Sequence, residues 1–204
     1  SEVLVGEKGI KTPVSSIQNQ ASIFKDKLFL LFLFSLIPVN IVFFQHIGGL
    51  PLYIVRDLGF SGAIFGILSA INTVTIIFVE VPLKKGMAHW DDRKALALGA
   101  LLCGIGFGMM VFWENIFFIA FTILIWTFGE MIFFPASTSY TSTLSPENRR
   151  GEYMGYFQMA FSFAFMVGPW LGATVLDLYG PFNLWMGCLA FGLISTVMML
   201  RLRK

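Results

Sequence analysis

One carboxylate inside a long apolar stretch is the residue of this sequence best suited to do chemistry. Glu130 lies near the middle of Ile116–Thr141, a stretch that also carries Pro135 and turns polar through residues 137–145. Acids are costly in hydrocarbon, so an acid at such a position generally marks a functional site. Glu130 could couple proton movement to a change of conformation, or it could serve packing alone by bonding to a neighbouring helix. The sequence leaves both interpretations open.

Four other polar residues lie inside apolar stretches and are candidates to line a substrate cavity: Asn40, Asn72, Gln158 and Ser162. Hydrogen bonding between helices would explain each of them equally well. Of the six apolar stretches given below, the first, second, fourth and fifth carry most of these polar groups. We therefore expect those four to face a polar interior, and the third and sixth to face lipid.

The composition is that of a membrane protein. Of 204 residues, 56% are hydrophobic and only 13% are charged, whereas soluble domains average about 25% charged residues. The net charge of +2 gives no reason to expect a nucleic-acid partner. Cys103 and Cys188 lie in apolar runs without metal-ligand spacing, and the sequence lacks a phosphate-binding glycine loop. We expect no metal, no cofactor and no ATP-driven chemistry.

Six apolar stretches come close to the roughly 20 residues that a spanning helix needs. They are Leu28–Ile47, Phe60–Leu83, Ala95–Phe112, Ile116–Thr141, Tyr153–Val175 and Phe182–Leu200. Because lipid offers no hydrogen bonds to the backbone, stretches this long and apolar should be helical. The predicted fold is an all-α membrane protein, a six-helix bundle over residues 25–204, preceded by a polar cytoplasmic linker at residues 1–24.

The basic residues orient this bundle. Of the 14 lysines and arginines, only Arg56 falls on the side opposite the N-terminus. Positive charge accumulates on the cytoplasmic side of membrane proteins, so both termini are predicted to be cytoplasmic. The outer connections are then the short loops Gly48–Gly59, 113–115 and Asp177–Pro181. His46 and Asp177 lie close to this outer boundary, where we expect them to be solvated.

Prolines and glycines mark places where helices could bend or pack closely. Pro135 and the run Gly168-Pro169-Trp170-Leu171-Gly172 are gating or kink candidates, because proline removes a backbone donor. The spacings Gly62–Gly66 and Gly104–Gly108 favour close helix packing.

Charged residues gather on the cytoplasmic side, in a cluster formed by Arg93, Lys94, Glu147, Arg149, Arg150 and Glu152. They could anchor the loops or form a gating salt bridge. Glu80 and Lys84, one helical turn apart, are predicted to pair with each other.

The motifs resemble those of the C-terminal half, spans seven to twelve, of a major facilitator superfamily transporter, nearest to the twelve-helix drug:proton antiporters. The likeness rests on Gly129-Glu130 with Pro135, on Ser145-Pro146-Glu147-Asn148-Arg149-Arg150-Gly151, and on Gly168-Pro169-x-x-Gly172, which is similar to the family's glycine-proline antiporter motif. The basic inter-helix motif of the family is degraded at Pro82–Lys94, where only Arg93-Lys94 remains.

This resemblance implies proton-coupled efflux of small hydrophobic or amphipathic compounds by alternating access. The implied partners are protons, a small-molecule substrate, the lipid bilayer, and the N-terminal six-helix half or a second chain. It also implies a bacterial inner membrane and no enzymatic activity.

Two alternatives come from other classes of protein. A half-size membrane scaffold without transport of its own would share the six helices. Residues 59–66 resemble the GxSG stretch of rhomboid proteases, but Ser61 lacks a suitably placed histidine base. Ser61 is better explained as the N-cap of the second helix.

Overall fold

The computed structural model describes residues 23–202, and these residues are almost entirely helical. The helices are α1 (Lys27–Phe43), the short α2 (Gly49–Pro51), α3 (Gly62–Gly86), α4 (Asp92–Gly108), α5 (Ile116–Leu144) and α6 (Arg150–Leu200). Between α1 and α3 the chain stays helical through a 3-10 turn at Phe44–His46 and a π-helix at Leu52–Asp57. Residues 1–22 of the predicted linker lie outside the described part of the chain.

The six predicted spans are present, with the last two joined in α6. This helix has 51 residues, so it would be roughly 77 Å long at 1.5 Å per residue, against about 30 Å of hydrocarbon. Gly180 breaks it, with φ 80 and ψ 174, a conformation that essentially only glycine adopts. The two arms, residues 150–179 and 181–200, therefore supply one span each. The prediction of six helices is confirmed in this form.

Two of the three predicted outer loops are wrong as loops. Helical turns continue through most of Gly48–Gly59, so the first span candidate runs from Lys27 to Asp57. In Asp177–Pro181 only Gly180 leaves the helical conformation. Both stretches contain a proline, but Pro51 and Pro181 each lie in the first turn of a helical segment, where proline is tolerated. Residues 113–115 are non-helical, as predicted.

Side chains from α6 bind α1 at two places, one near the cytoplasmic end and one deeper in the bundle. Near the cytoplasmic end, Tyr153 donates a hydrogen bond of 2.9 Å to Asp26, whose other carboxylate oxygen caps α1. Deeper in the bundle, the Ser195 hydroxyl donates to Ser35 O at 2.8 Å and accepts from Val39 N at 3.1 Å. These two backbone atoms flank Pro38, where the proline ring disturbs the helix ladder. Ser195 thereby supplies polar partners at the proline site, away from lipid.

The third span, α4, is enclosed by its neighbours, so its predicted lipid-facing position is wrong. In the most apolar 18-residue stretch of this span 61% of the residues are buried, whereas in the corresponding stretch of α3 only 6% are buried. Glycines explain the enclosure: a Cβ on Gly104 would lie 2.8 Å from the Gly192 Cα, and one on Gly99 would lie 2.8 Å from the Phe133 Cβ. Both neighbouring helices can therefore approach closely. The absence of polar residues in α4 reflects burial in protein as much as contact with lipid.

The sixth span behaves as expected for a peripheral helix. Arm 181–200 buries one face against α1 and α4 and exposes large apolar side chains on the other, among them Leu193 and Val197. Gly104 and Gly108 make close packing contacts with this arm, as predicted. A methyl group added at Gly62 or Gly66 would meet no atom within 4 Å in the described part of the chain, so the packing predicted for them is not made here.

Candidate functional site

Glu130 on α5 is held by a polar contact that crosses to α3. Asn72 Nδ2 lies 2.9 Å from Glu130 Oε2 and 3.0 Å from Thr127 Oγ1. Thr127 precedes Glu130 by three residues, so the two side chains share one face of α5. The Thr127 hydroxyl in turn donates to Ile123 O at 2.7 Å. Both N–H groups of the Asn72 amide are thus engaged, and one of them stabilises the carboxylate.

Asn72 also lines a cleft of about 240 Å³ between α3, α5 and the helical turns that follow α1. The lining residues are His46, Leu50, Phe65, Leu68, Ser69, Asn72, Thr73, Ile123 and Trp126. The cleft therefore leads to the amide that holds Glu130. Among the polar residues singled out from the sequence, the structure brings Asn72 and Glu130 together here.

His46 belongs to the wall of this cleft, although it was expected to be solvated at the outer boundary. Its Nδ1 lies 2.7 Å from Phe43 O, and its ring stacks on Trp126 with 6.1 Å between centroids. The helical turns that continue beyond α1 carry His46 inward, and the ring is half-buried. Asp177 does lie at an exposed position, where it forms a 2.6 Å ion pair with Arg56.

The other three cavity candidates lie elsewhere. Asn40 is buried inside α1, with its Oδ1 lacking a hydrogen-bond partner. Gln158 and Ser162 are exposed on arm 150–179 and line a separate, open apolar depression with Met159 and Met166. The described chain therefore places these residues on different surfaces from the Glu130 site.

The glycine-proline run on α6 receives a side chain from the 3-10 turn that follows α1, a contact that sequence reasoning missed. Gln45 Nε2 donates to Gly168 O at 2.8 Å and to Ile41 O at 2.9 Å. A Cβ on Gly172 would overlap Gln45 Oε1, and a Cβ on Gly168 would lie 3.1 Å from the Phe44 Cβ. Close approach of the buried Gln45 amide is a reason for glycine at position 172, and close approach of Phe44 and Ile41 is a reason for glycine at position 168. The spacing of the glycines signalled a close contact, but nothing in the sequence named Gln45 as the partner.

Pro135 lies within α5, just over one turn beyond Glu130, and lines a cytoplasmic-side recess with Lys84 and Ser139. The hydroxyl run that follows is largely satisfied by its own helix. Ser137, Thr141 and Thr143 each donate to a backbone carbonyl three or four residues earlier. Such bonds satisfy most of the polar run within α5, while Ser139 donates to Asp92 on α4 at 3.0 Å.

The cytoplasmic charges form local contacts. Arg93 pairs with Asp91 at 2.7 Å and donates to Leu202 O at 3.0 Å, so it joins the start of α4 to the end of α6. Hydrogen bonding from Arg93 lowers the pKa of Asp91 to about 2. Arg149 pairs with Glu152 at 2.7 Å.

The other three members of the predicted cluster, Lys94, Glu147 and Arg150, are exposed.

Two local predictions are confirmed. Glu80 and Lys84 form an ion pair of 2.7 Å, and Ser61 caps α3 by accepting from Ile64 N.

The six long apolar helices define a polytopic membrane protein. The carboxylate of Glu130, hydrogen-bonded by Asn72, gives it an internal polar site. The comparison of sequences specifies the family: the Major Facilitator Superfamily matches residues 28–204. The match covers most of the chain, and this protein belongs to that superfamily. Its proteins are transporters.

Curated relatives match the chain over part of their length. A Na(+), Li(+), K(+)/H(+) antiporter of Planococcus maritimus is 27% identical, over 76% of this chain and 40% of its own. An uncharacterized MFS-type transporter, YttB, of Bacillus subtilis (strain 168) is 24% identical over 69% of this chain and 36% of its own. A putative tartrate transporter of Agrobacterium vitis is 29% identical over 68% of this chain and 31% of its own. The chain spans less than half the length of these relatives.

Proposed function

We propose that the chain is the C-terminal half of a proton-coupled secondary transporter in which Glu130 carries the coupled proton. The observation that supports this role most directly is the bond from Asn72 to Glu130. A carboxylate accepts such a bond more strongly than a carboxylic acid does, because charge-assisted hydrogen bonds are about twice as strong as neutral ones. Gain or loss of the proton therefore changes the contact between α3 and α5.

The transport cycle would be alternating access, in which two six-helix halves move around a site at their interface. The second half would come from the N-terminal part of a longer chain or from a second chain. Two apolar surfaces are available for such a partner: exposed faces of α3, with Ile77 and Phe78, and of arm 150–179, with Met166 and Trp170.

The substrates we propose are small hydrophobic or amphipathic compounds, exported across a bacterial inner membrane. The apolar walls of the cleft beside Asn72 favour such compounds. The antiporter among the relatives, named for alkali cations and protons, supports antiport against protons and makes alkali cations the first competitors to include in an assay.

The test is substrate-induced proton flux in proteoliposomes containing the complete transporter. Glu130→Gln should abolish the flux while leaving the protein folded. Glu80→Gln is the matched control, because Glu80 is a second acid of the membrane region whose partner is Lys84 on its own helix, and flux should persist. Undiminished flux in Glu130→Gln would contradict the role of Glu130. A flux driven by Na⁺ or K⁺ alone would change the substrate class.

A further inference from the structure

The Thr127 hydroxyl determines which end of the Asn72 amide faces Glu130. Thr127 Oγ1 lies 2.7 Å from Ile123 O, and a carbonyl oxygen can only accept, so the single hydroxyl hydrogen is donated to Ile123. Toward Asn72, at 3.0 Å, Thr127 therefore presents a lone pair. An amide oxygen at this distance would repel that lone pair, whereas an amide NH2 group donates to it. The bond to Ile123 thus fixes the NH2 end of Asn72 against Thr127.

The fixed NH2 group is also the group that bonds to Glu130. Asn72 Nδ2 lies 2.9 Å from Glu130 Oε2, and an ionised carboxylate accepts such a bond about twice as strongly as a neutral group does. A protonated carboxyl has an O–H to donate, and it would gain a bond if the amide turned over and presented Oδ1. Turning over would bring Oδ1 against the lone pair of Thr127. The fixed orientation therefore favours the ionised form of Glu130.

We infer that Thr127 is a positioning residue that sets the proton affinity of Glu130, because it holds the Asn72 amide in the orientation that donates to the ionised carboxylate. Thr127 acts through Asn72 and does not itself carry the proton. The inference rests on the proposed function, in which Glu130 carries the coupled proton. A proton carrier has to release its proton as well as bind it, and an amide held as a donor makes release easier.

Other titratable side chains surround this contact. They are Glu80 on α3, Cys103 on α4 and His46 in the turn after α1. Their polar contacts in the described part of the chain are made with residues other than Thr127 and Asn72. Apart from Glu130, the stretches 28–43, 116–144, 153–176 and 178–200 of α1, α5 and α6 contain no charged residue. A substitution of Thr127 therefore changes the surroundings of Glu130 through Asn72 alone.

The experiment is an infrared pH titration of the reconstituted complete transporter, without substrate or ion gradient. The C=O stretching band of the protonated Glu130 carboxyl is assigned as the band that Glu130→Gln lacks. Thr127 is fully buried, and Thr127→Val keeps the β-branched shape while removing the hydroxyl. In this variant the band should disappear at a pH about half a unit to one unit higher, a roughly three- to tenfold gain in proton affinity, because the protonated form gains about one neutral hydrogen bond.

Thr127→Ser keeps the hydroxyl and should titrate as the unsubstituted protein does. Thr127→Cys, whose thiol is a weak donor, supplies a second variant that should shift in the same direction as Thr127→Val. Thr122→Val is the matched control, because Thr122 is also buried on α5 and donates only to Ile119 O of its own helix, so its midpoint should not move. In Asn72→Leu, which has no amide to orient, adding Thr127→Val should cause no further shift.

Four results would overturn the inference: an unchanged midpoint in both Thr127→Val and Thr127→Cys, a shift in Thr127→Ser, an equal shift in Thr122→Val, or an undiminished effect of Thr127→Val in Asn72→Leu. A Glu130 band that is absent at every pH would also overturn it, since there would be no proton affinity to set. The pH profile of substrate-induced flux should move with the infrared midpoint. An infrared shift without that movement would contradict the proposed function and leave the role of Thr127 standing.

Discussion

The contact between Asn72 and Glu130 can be measured by itself in a double-mutant cycle. Asn72→Ala is made in the unsubstituted protein and again in Glu130→Gln, where the acceptor is neutral but similar in shape. Hydrogen bonds to charged groups contribute about 1.5–3 kcal/mol, and side-chain hydrogen bonds between membrane helices average about 0.6 kcal/mol with a maximum near 1.7. With the carboxylate ionised and half-buried, we expect about 1.5 kcal/mol for this contact.

The neutral Gln contact should contribute about 0.5 kcal/mol, near the membrane average, so the coupling energy should be about 1 kcal/mol, roughly fivefold in the unfolding equilibrium constant. The assay is reversible unfolding in mixed micelles at a pH where Glu130 is ionised. Repeating it at a pH low enough to protonate Glu130 should bring the coupling close to zero, because both acceptors are then neutral.

Thr73→Ala is the control for this cycle. Thr73 is adjacent to Asn72 on α3, but its hydroxyl donates to Ser69 O on the same helix, so its coupling to Glu130→Gln should be zero. A coupling below about 0.3 kcal/mol for Asn72 at high pH, within the error of additivity, would refute the contact. A coupling that is the same at both pH values would show that charge on Glu130 does not strengthen it.

Three further substitutions test contacts that hold the bundle, each read as the free energy of unfolding in the same micelles. Gly172→Ala should displace the Gln45 amide and cost about 1–3 kcal/mol, whereas Gly155→Ala, at an open position, should be neutral or stabilising; equal effects would contradict the close contact. Ser195→Ala should cost about 1–2 kcal/mol because two backbone groups of α1 lose a partner, and no loss would show that they are satisfied otherwise. The Asp91 carboxylate caps α4 by accepting from Arg93 N at 2.9 Å, so Asp91→Ala should cost about 1 kcal/mol, and Asp91→Asn less, since Asn caps as well. Because the folded-state pKa of Asp91, about 2, is below its usual 3.8, its contribution should be complete above pH 3.8 and disappear as the pH falls through 2, which a pH series of unfolding measures.

Much of the fold follows from local sequence, because hydrocarbon demands long helices with satisfied backbones. The length of each apolar run and the position of the basic residues were enough to predict six crossings. The continuation of helix past His46 could not be predicted, since a stretch with glycine and proline reads as a loop until tertiary contacts hold it helical. The enclosure of α4 was also missed, because apolar residues that face lipid and apolar residues that face protein look alike in sequence.

Local sequence likewise predicted one part of the candidate site and not the rest. Glu130 could be singled out because an acid in an apolar run is rare, and Thr127 could have been found with it, one turn away on the same face. The pairing with Asn72 joins residues 58 positions apart, and no local pattern specifies which of several polar residues on other helices meets the acid. The separation of Gln158 and Ser162 from Asn72 has the same origin.

The position of α3 gives the contact its consequence for mechanism. Among the described residues, the side-chain hydrogen bonds that join α3 to another helix both start at Asn72, and α3 is the least buried of the span candidates. If Glu130 carries the coupled proton, as proposed, its change of charge would act on the helix with the least other support. Protonation of Glu130 removes the charge that strengthens the hydrogen bond from Asn72. The resulting loss of stability is largest where few apolar contacts can compensate for it. Glu130 would have far less influence on conformation if its partner lay on the enclosed α4.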